Sequence, residues 1–176
     1  MRNGLKDTIL DAAMRVLLRE GLRGWSVDLV AKEAGSSKGL VHYHHGTKRA
    51  LLQTVATRLE AAHWERRLTP LAGSRDAQAL DAVWRALTAE VTSGEWSALL
   101  SLRCEAEFTA EAVDDTASLK AFATRLAGAL DLPPPSLDEA RFIAAALDGI
   151  QLALHRGGDP TSLREAYHRL WLAVLP

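Results

Sequence analysis

The sequence predicts an all-α protein of about nine helices. Apolar residues recur at three- and four-residue spacing along nearly the whole chain, which is the period of an amphipathic helix. No stretch of useful length alternates apolar and polar residues as a half-buried strand does. With 48% apolar and 24% charged residues, the 176-residue chain also has the composition of a globular protein.

Four helices are predicted in the N-terminal part of the chain. Apolar residues between positions 5 and 17 mark the first of them. Ser26 is placed to cap a short second helix, and Gly35 ends it. A third short helix is expected at about residues 37–44, and Thr47 stands before a long fourth helix.

Five further helices are predicted in the remainder, separated by glycine and proline. Ser136, with Glu139 three residues later, forms the capping box of the eighth helix. The predicted starts of the five helices are Ser74, about Trp96, about Ala110, Ser136 and the residues after Asp159-Pro160.

The charge is unevenly distributed along the chain. Through residue 50 there are 9 Lys and Arg against 5 Asp and Glu, whereas the remainder has 12 against 17. A basic N-terminal segment on an acidic remainder indicates that the N-terminal segment contacts a polyanion.

Several classes of protein are disfavoured. No apolar run approaches the ~20 residues of a membrane helix, so no membrane partner is predicted. Cys104 is the single cysteine, which forbids an internal disulfide and suits a reducing compartment, so we expect a cytoplasmic protein. The sequence shows neither a phosphate-binding loop nor a metalloprotease helix motif, and no histidine lies close to Cys104. We therefore predict no enzymatic activity, no catalytic residue and no cofactor.

The second and third helices, joined at Gly35, are typical of a helix-turn-helix. Glycine adopts the positive φ of such a turn at little steric cost. Leu40 and Val41 are expected to anchor the third helix to the second. The remaining residues of the third helix would then face outward, toward the major groove of DNA; they are Ser37, Lys38, Gly39, His42, Tyr43 and His44.

The stretch ILDAAMRVLLREGLRGWSVDLVAKEAGSSKGLVHYHHGTKRALL resembles the DNA-binding head of TetR-type repressors. That head usually shows a helix, then Gly and Thr or Ser, then the pattern IA..AGVS.G.LY.YF..K..L. This chain departs from the pattern at His42, His45, Gly46 and Arg49. The resemblance implies a three-helix DNA-binding domain at residues 1–48 and a helical ligand-binding and dimerisation domain at residues 49–176.

The resemblance also implies roles in DNA contact. Lys38 would donate to guanine, and Gly39 would let the backbone approach the bases. Leu40 either contacts a thymine methyl group or packs within the protein, and His42 reaches a base edge or a phosphate. Contacts to the DNA backbone are expected from Ser26, Ser36, Ser37, Tyr43, His44, Thr47 and Lys48.

For the remainder of the chain, the resemblance implies a homodimer and a pocket for a small-molecule effector. The expected dimer interface is the apolar stripes of the last two helices, which could instead face the subunit's own core; they contain Ile143, Leu147, Ile150, Leu154, Leu163, Tyr167, Leu170 and Val174. The candidate pocket residues are Trp64, Trp84, Trp96, Leu100, Arg103, Cys104, Phe108, Phe122, Phe142 and Gln151.

These observations predict a ligand-responsive transcriptional repressor that binds an inverted-repeat operator as a homodimer and is released by a small-molecule effector. One alternative is a helical protein-interaction scaffold that has lost DNA binding. Another is a metal-responsive sensor that uses His42 and His45. Zinc would need further ligands, and the sequence shows no complete set at ligand spacing, so no metal site is predicted.

Overall fold

The computed structural model describes residues 4–105 and 116–174, except for the side chain of Val174. These residues form nine α-helices and no strand, so the all-α prediction is confirmed. None of these helices is long and apolar enough to cross a membrane. The helices are α1 (Leu5–Gly24), α2 (Val27–Glu33), α3 (Lys38–His45), α4 (Lys48–Leu68), α5 (Asp76–Ser93), α6 (Glu95–Cys104), α7 (Thr116–Ala129), α8 (Leu137–His155) and α9 (Pro160–Val174).

Side-chain caps set several helix starts where the sequence predicts them. The hydroxyl oxygen of Ser26 accepts from the N–H of Leu29 at 3.2 Å, and that of Thr47 accepts from the N–H of Ala50 at 3.1 Å. The capping box at the start of α8 is also present. The start of α5 differs, because the Ser74 hydroxyl donates to the carbonyl of Pro70 and leaves Arg75 as an N-cap without a side-chain bond. The expected start of the seventh helix, Ala110, lies outside the described residues.

The chain packs as two compact units. One comprises Met1–Ala61 with Ser97–Val113, and the other comprises Ala62–Trp96 with Asp114–Pro176. The first unit extends beyond residue 48 because the N-terminal half of α4 belongs to its core, through Leu51, Leu52, Val55, Ala56 and Leu59. We refer to these as the first unit and the second unit.

The core of the first unit joins α1, α2, α3, α4 and α6. On α1 the buried residues are Ile9, Ala12, Ala13, Val16 and Leu17, which follow the predicted stripe. Trp25 is 2% exposed, and its indole N–H donates to the carbonyl of Ala13 at 3.0 Å. This bond ties the connection between α1 and α2 to the middle of α1.

The turn between α2 and α3 has the geometry that the sequence predicts. Gly35 has φ of +61°, in the left-handed region. The N–H of Gly35 donates to the carbonyl of Lys32, and the N–H of Ser36 donates to the carbonyl of Ala31 at 2.9 Å. These two bonds form a Schellman motif, which satisfies the last carbonyls of α2.

Replacing Gly35 with alanine should lower the free energy of unfolding by about 1–2 kcal/mol, because a side chain disfavours the left-handed region. Gly128 in α7 is the matched control. A Cβ at either position would meet nothing within 4 Å, but Gly128 is helical and lacks a positive φ. Gly128→Ala should therefore raise stability by up to about 1 kcal/mol. Urea denaturation of both variants measures the two changes in the free energy of unfolding. Equal changes would contradict the view that the left-handed conformation of Gly35 requires a glycine.

Candidate nucleic-acid interface

Helix α3 is held to the first unit by two side chains. Val41 is 1% exposed and His45 is 8% exposed. The Nε2 atom of His45 lies 2.9 Å from the carbonyl oxygen of Lys6 on α1. Since a carbonyl only accepts, His45 donates this bond and carries its proton on Nε2. Leu40, predicted as a second anchor, is 43% exposed, so His45 takes that part instead.

The opposite face of α3 is open to solvent. Lys38, Gly39, Leu40, His42 and Tyr43 are exposed. Tyr43 is 81% exposed, which is high for a large aromatic side chain. His44 is half-buried, and its ring lies edge-on to that of Tyr43, with centroids 5.1 Å apart. The residues predicted to contact DNA therefore share one accessible surface along most of α3.

Two lysines flank this surface and differ in their contacts. The Nζ atom of Lys38 lies 3.0 Å from the carboxylate of Asp28 on α2. Both side chains are more than half exposed, so this pair contributes little stability and can exchange with another anion. Lys48, in the first turn of α4, places Nζ 5.9 Å from the ring centroid of Trp25. This cation–π contact positions the ammonium group at the start of α4.

His42 is bonded to the turn that follows α3. Its Nδ1 donates to the carbonyl of Gly46 at 2.7 Å, and Gly46 has φ of +72°. In the neutral ring, Nε2 is therefore an acceptor. His42 is exposed while His45 is buried and bonded to Lys6, so the two rings do not form a shared metal site. Among the described residues, no group of three His, Cys, Asp or Glu could hold a metal ion.

The hydroxyl groups divide into two kinds. Those of Ser26, Ser37 and Thr47 cap α2, α3 and α4 as acceptors, which leaves each O–H able to donate elsewhere. The Ser36 hydroxyl is enclosed and has no hydrogen-bond partner among the described residues. The expected backbone contact from Ser36 is therefore not supported, because the tight turn directs its oxygen inward.

Two arginines of α1, Arg15 and Arg19, are paired with a carboxylate within the first unit. Glu33 accepts from both Arg15 and Arg19 at 2.9 Å. These hydrogen bonds hold the pKa of Glu33 below its usual value. Arg58 pairs with Asp11 at 2.8 Å. Lys38 and Lys48, by contrast, have contacts that can be exchanged for a nucleic acid.

The predicted pocket residues are found in several separate contacts among the described residues. Trp64 and Phe122 pack together, with ring centroids 6.1 Å apart, whereas Trp84 packs on Tyr167 and Trp96 on His155. Phe142 is 59% exposed and thus faces away from the core. Leu100, Arg103 and Cys104 belong to the first unit, and Phe108 lies outside the described residues. Arg103 instead forms a two-bond pair with Glu60, at 2.6 and 2.7 Å.

Gln151 is the pocket residue that leads to an unexpected feature, a buried polar cluster of His63, Arg67, Glu90 and Gln151. Each of the four side chains is at most 3% exposed. The amide oxygen of Gln151 accepts from Arg67 at 2.6 Å, and its nitrogen donates to Glu90 at 2.9 Å. The Nδ1 atom of His63 lies 3.1 Å from the other oxygen of Glu90. The cluster thereby joins α4, α5 and α8 within the second unit.

Comparison with known proteins agrees with this geometry. Residues 9–55 match the model of a family of bacterial regulatory proteins, the tetR family. This N-terminal segment therefore resembles the DNA-binding head of the tetR family. The regulator BetI of Vibrio vulnificus is 40% identical over 48 residues, which are 27% of this chain. The match spans about a quarter of that relative, 24% of its length.

Solved structures resemble nearly the whole chain. A transcriptional regulator from Rhodococcus sp. Rha1 has a TM-score of 0.76 at 22% identity, covering 97% of this chain and 95% of its own. The multidrug binding protein EbrR, complexed with proflavin, has a TM-score of 0.63 at 26% identity, covering 95% of this chain and 99% of its own. These two structures therefore share the fold of this chain along nearly its whole length.

The structure corrects the dimer surface predicted on α8 and α9. Ile143, Leu147 and Tyr167 are at most 6% exposed and lie in the core of their own unit. Ile150, Leu154, Leu163 and Leu170 are half-buried against the same core, and the side chain of Val174 lies outside the described part of the structure. The apolar stripes of α8 and α9 face inward because these two helices pack against the apolar faces of α5 and α7.

Sequence reasoning missed Arg67 and Glu90, although the pattern held a signal. His63 and Arg67 continue the inward stripe of α4 at four-residue spacing after Leu59. Glu90 follows Leu87 by three residues on the inward face of α5. A charged residue at an inward position is unusual unless it is paired, so these positions predict a buried pair.

The charge of Glu90 is maintained by its neighbours. Burial alone would raise the pKa of Glu90, but the contact and charge of His63, followed by Arg67 and Gln151, outweigh it and lower the pKa below 4.5. A carboxylate whose pKa is lower in the folded protein than in the unfolded chain stabilises the fold at pH values above the unfolded pKa. This stabilisation is lost as the pH falls through the pKa of the folded protein.

Glu90→Gln should lower the free energy of unfolding by about 3 kcal/mol at pH 7, because the buried Arg67 loses a counter-charge that lies 3.8 Å away. The difference from the parent protein should shrink at acidic pH, because the parent loses the same charge as the pH falls through the lowered pKa of Glu90. Urea denaturation at both pH values measures this. Glu165→Gln, at an exposed carboxylate of α9, is the matched control and should leave stability unchanged at both pH values. A loss at Glu90 that is independent of pH would contradict the role of its charge.

Proposed function

We propose that this protein is a transcriptional regulator that binds an inverted-repeat DNA operator as a homodimer and is released by a small-molecule effector. The observation that carries the proposal is the exposed face of α3, anchored from behind by Val41 and His45. A short helix held by one side and open along the other is the arrangement that enters a major groove. Cys104 as the single cysteine suits a cytoplasmic location for such a regulator.

Contacts along the interface fall into two classes. Lys38, Gly39 and Leu40 lie at the N-terminal end of α3, which is the end that contacts base edges in this motif. Lys48 and the start of α4 can hold a phosphate, since the helix N-terminus presents N–H groups and the ammonium group adds a charge. The first class would read sequence, and the second would position the protein on the duplex.

Asp28 competes with DNA for Lys38. In the described structure, the lysine lies 3.0 Å from Asp28, so binding to guanine exchanges one acceptor for another. The exchange costs little because both groups are largely solvated. The arrangement keeps Lys38 directed along the surface of the head before DNA arrives.

Two heads are needed for specific binding, and the outer faces of α8 and α9 provide a candidate dimer surface. Phe142 and Leu172 are 59% and 79% exposed, although both are large and apolar. Gly149 is exposed between the two ends of α8, and a Cβ there would meet nothing within 4 Å. A second copy packed on this face would cover the apolar residues and allow close helix approach at Gly149. The two reading helices would then lie roughly 34–36 Å apart.

The effector is proposed to act within the second unit. Its interior is rich in aromatic residues, which favours a flat or apolar ligand. EbrR, which shares the fold, binds proflavin and ethidium. The buried polar cluster connects α4 with α8, so a ligand that separates these helices would change α4, which also carries Lys48. A coupling of about 1–3 kcal/mol between effector and DNA is sufficient for regulation.

Lys38→Ala should reduce the preference for a selected operator over random duplex by about 1–3 kcal/mol, since it removes a contact to a base. Lys48→Ala should weaken binding to all duplexes alike and lower the slope of log affinity against log salt by about one unit. Fluorescence anisotropy over a range of salt concentrations measures both effects. Arg85→Ala, at an exposed cation of α5, is the control and should leave both quantities unchanged. Binding that neither lysine affects would favour the protein-interaction scaffold.

Gly149→Arg should convert the dimer to a monomer, because a long charged side chain would occupy the site of close helix approach. Analytical ultracentrifugation at micromolar concentration gives the oligomeric state. Gly128→Arg provides a matched control, since Gly128 is also exposed and helical with no atom within 4 Å of a Cβ. A dimer that persists in the Gly149 variant would show that the surface lies elsewhere.

A further inference from the structure

A basic groove lies on the outer side of α7, where the segment 71–75 passes it within the second unit. Its volume is about 810 Å³, and it is open to solvent along one side. The rim carries Arg75, Lys120 and Arg125, and the floor includes Gly73 and Gly128. This groove is separate from α3 and from the buried polar cluster, since it shares no residue with either.

The helical period of α7 explains how the groove forms. Leu119, Phe122, Ala123 and Leu126 occupy the inner face of α7 and are buried in the core. Lys120, Thr124 and Gly128 therefore form a row on the outer face at four-residue spacing, with Arg125 beside it. Glycine and alanine along the floor leave room for a compact ligand between the cationic side chains.

The charges of the groove have no counter-charge within the part of the chain that the structure describes. None of the described residues that line it is a carboxylate. Among the residues that the structure describes, neither Lys120 nor Arg125 has an ion-pair partner, and Arg75 makes one long bond, 3.4 Å, to the carbonyl of Gly128. Four arginines of the second unit have acidic partners, namely Arg66, Arg67, Arg141 and Arg164, whereas the exposed Arg85, Arg156 and Arg169 have none among the described residues.

The polar groups in the groove are predominantly donors. Lys120 and Arg125 supply N–H groups, and Arg75 retains N–H groups beyond its bond to Gly128. The Thr124 hydroxyl has no hydrogen-bond partner among the described residues and can donate as well. Several donors and two or three positive charges around a small concave surface match an anion with several oxygen atoms.

We propose that this groove binds a small anion of the phosphate class that carries at least two negative charges. Arg125 contributes a planar fork to two of its oxygens, and Lys120 contributes a compact charge on the opposite rim. The site goes beyond the proposed function and does not depend on it, since it uses no residue of the head and none of the predicted effector pocket. It would allow the protein to respond to a phosphorylated compound independently of DNA.

Isothermal titration calorimetry of the full chain with inorganic pyrophosphate tests the proposal. We expect saturable binding with one site per chain. Lys120→Gln and Arg125→Gln should each weaken the affinity by about tenfold, since each removes a charge-assisted hydrogen bond. The double variant should show no measurable binding. Circular dichroism verifies that these exposed substitutions leave the helices intact.

Matched controls separate the groove from general attraction of anions. Arg85→Gln and Arg169→Gln remove exposed cations of the second unit that do not line the groove, and both should retain parental affinity. Lys48→Ala should weaken DNA binding but leave pyrophosphate binding intact, so failure of either proposal is visible by itself. The groove assignment is overturned if pyrophosphate does not bind, or if the control substitutions weaken it as much as those at Lys120 and Arg125. The groove assignment is also overturned if Lys48→Ala abolishes the binding of pyrophosphate.

Discussion

Two contacts behind α3 are the constraint on which the interface depends. Val41 is buried, and His45 is buried and donates to the carbonyl of Lys6 on α1. Because α3 has eight residues, it has few positions with which to hold its orientation. The hydrogen bond adds a direction that burial by itself lacks, since burial is non-directional. With α3 held in this way, its opposite face is free to present Lys38, Leu40 and Tyr43 outward.

The second unit depends on a different kind of contact. Arg67, Glu90 and Gln151 place charges and an amide among aromatic side chains. Buried ion pairs contribute little net stability, but breaking one leaves an uncompensated charge. Such a cluster therefore restricts α4, α5 and α8 to the arrangements in which all partners meet. This property suits a unit proposed to change between a few discrete conformations, rather than to deform continuously.

The apolar periodicity of the sequence was sufficient to predict the helices, but not to predict what their apolar faces pack against. The spacing of Ile143, Leu147 and Tyr167 is the same whether they face a second subunit or their own core. Burial assigns them to the core and leaves Phe142 and Leu172 on the opposite side. The aromatic residues proposed for one pocket instead pack in three separate contacts. The reason is the same: an apolar sequence pattern predicts that a residue is buried but does not predict which residue it packs against.

The sequence by itself determined the features that act between near neighbours. The caps at Ser26 and Thr47, the positive φ at Gly35 and the amphipathic stripes involve residues within a few positions of one another, so local residue preferences predict them. Only the tertiary structure decided the contacts between distant residues. His45 meets a carbonyl 39 positions away and Arg67 an amide 84 positions away. Such partners are selected by the packing of whole helices, in which every face competes for the same limited core.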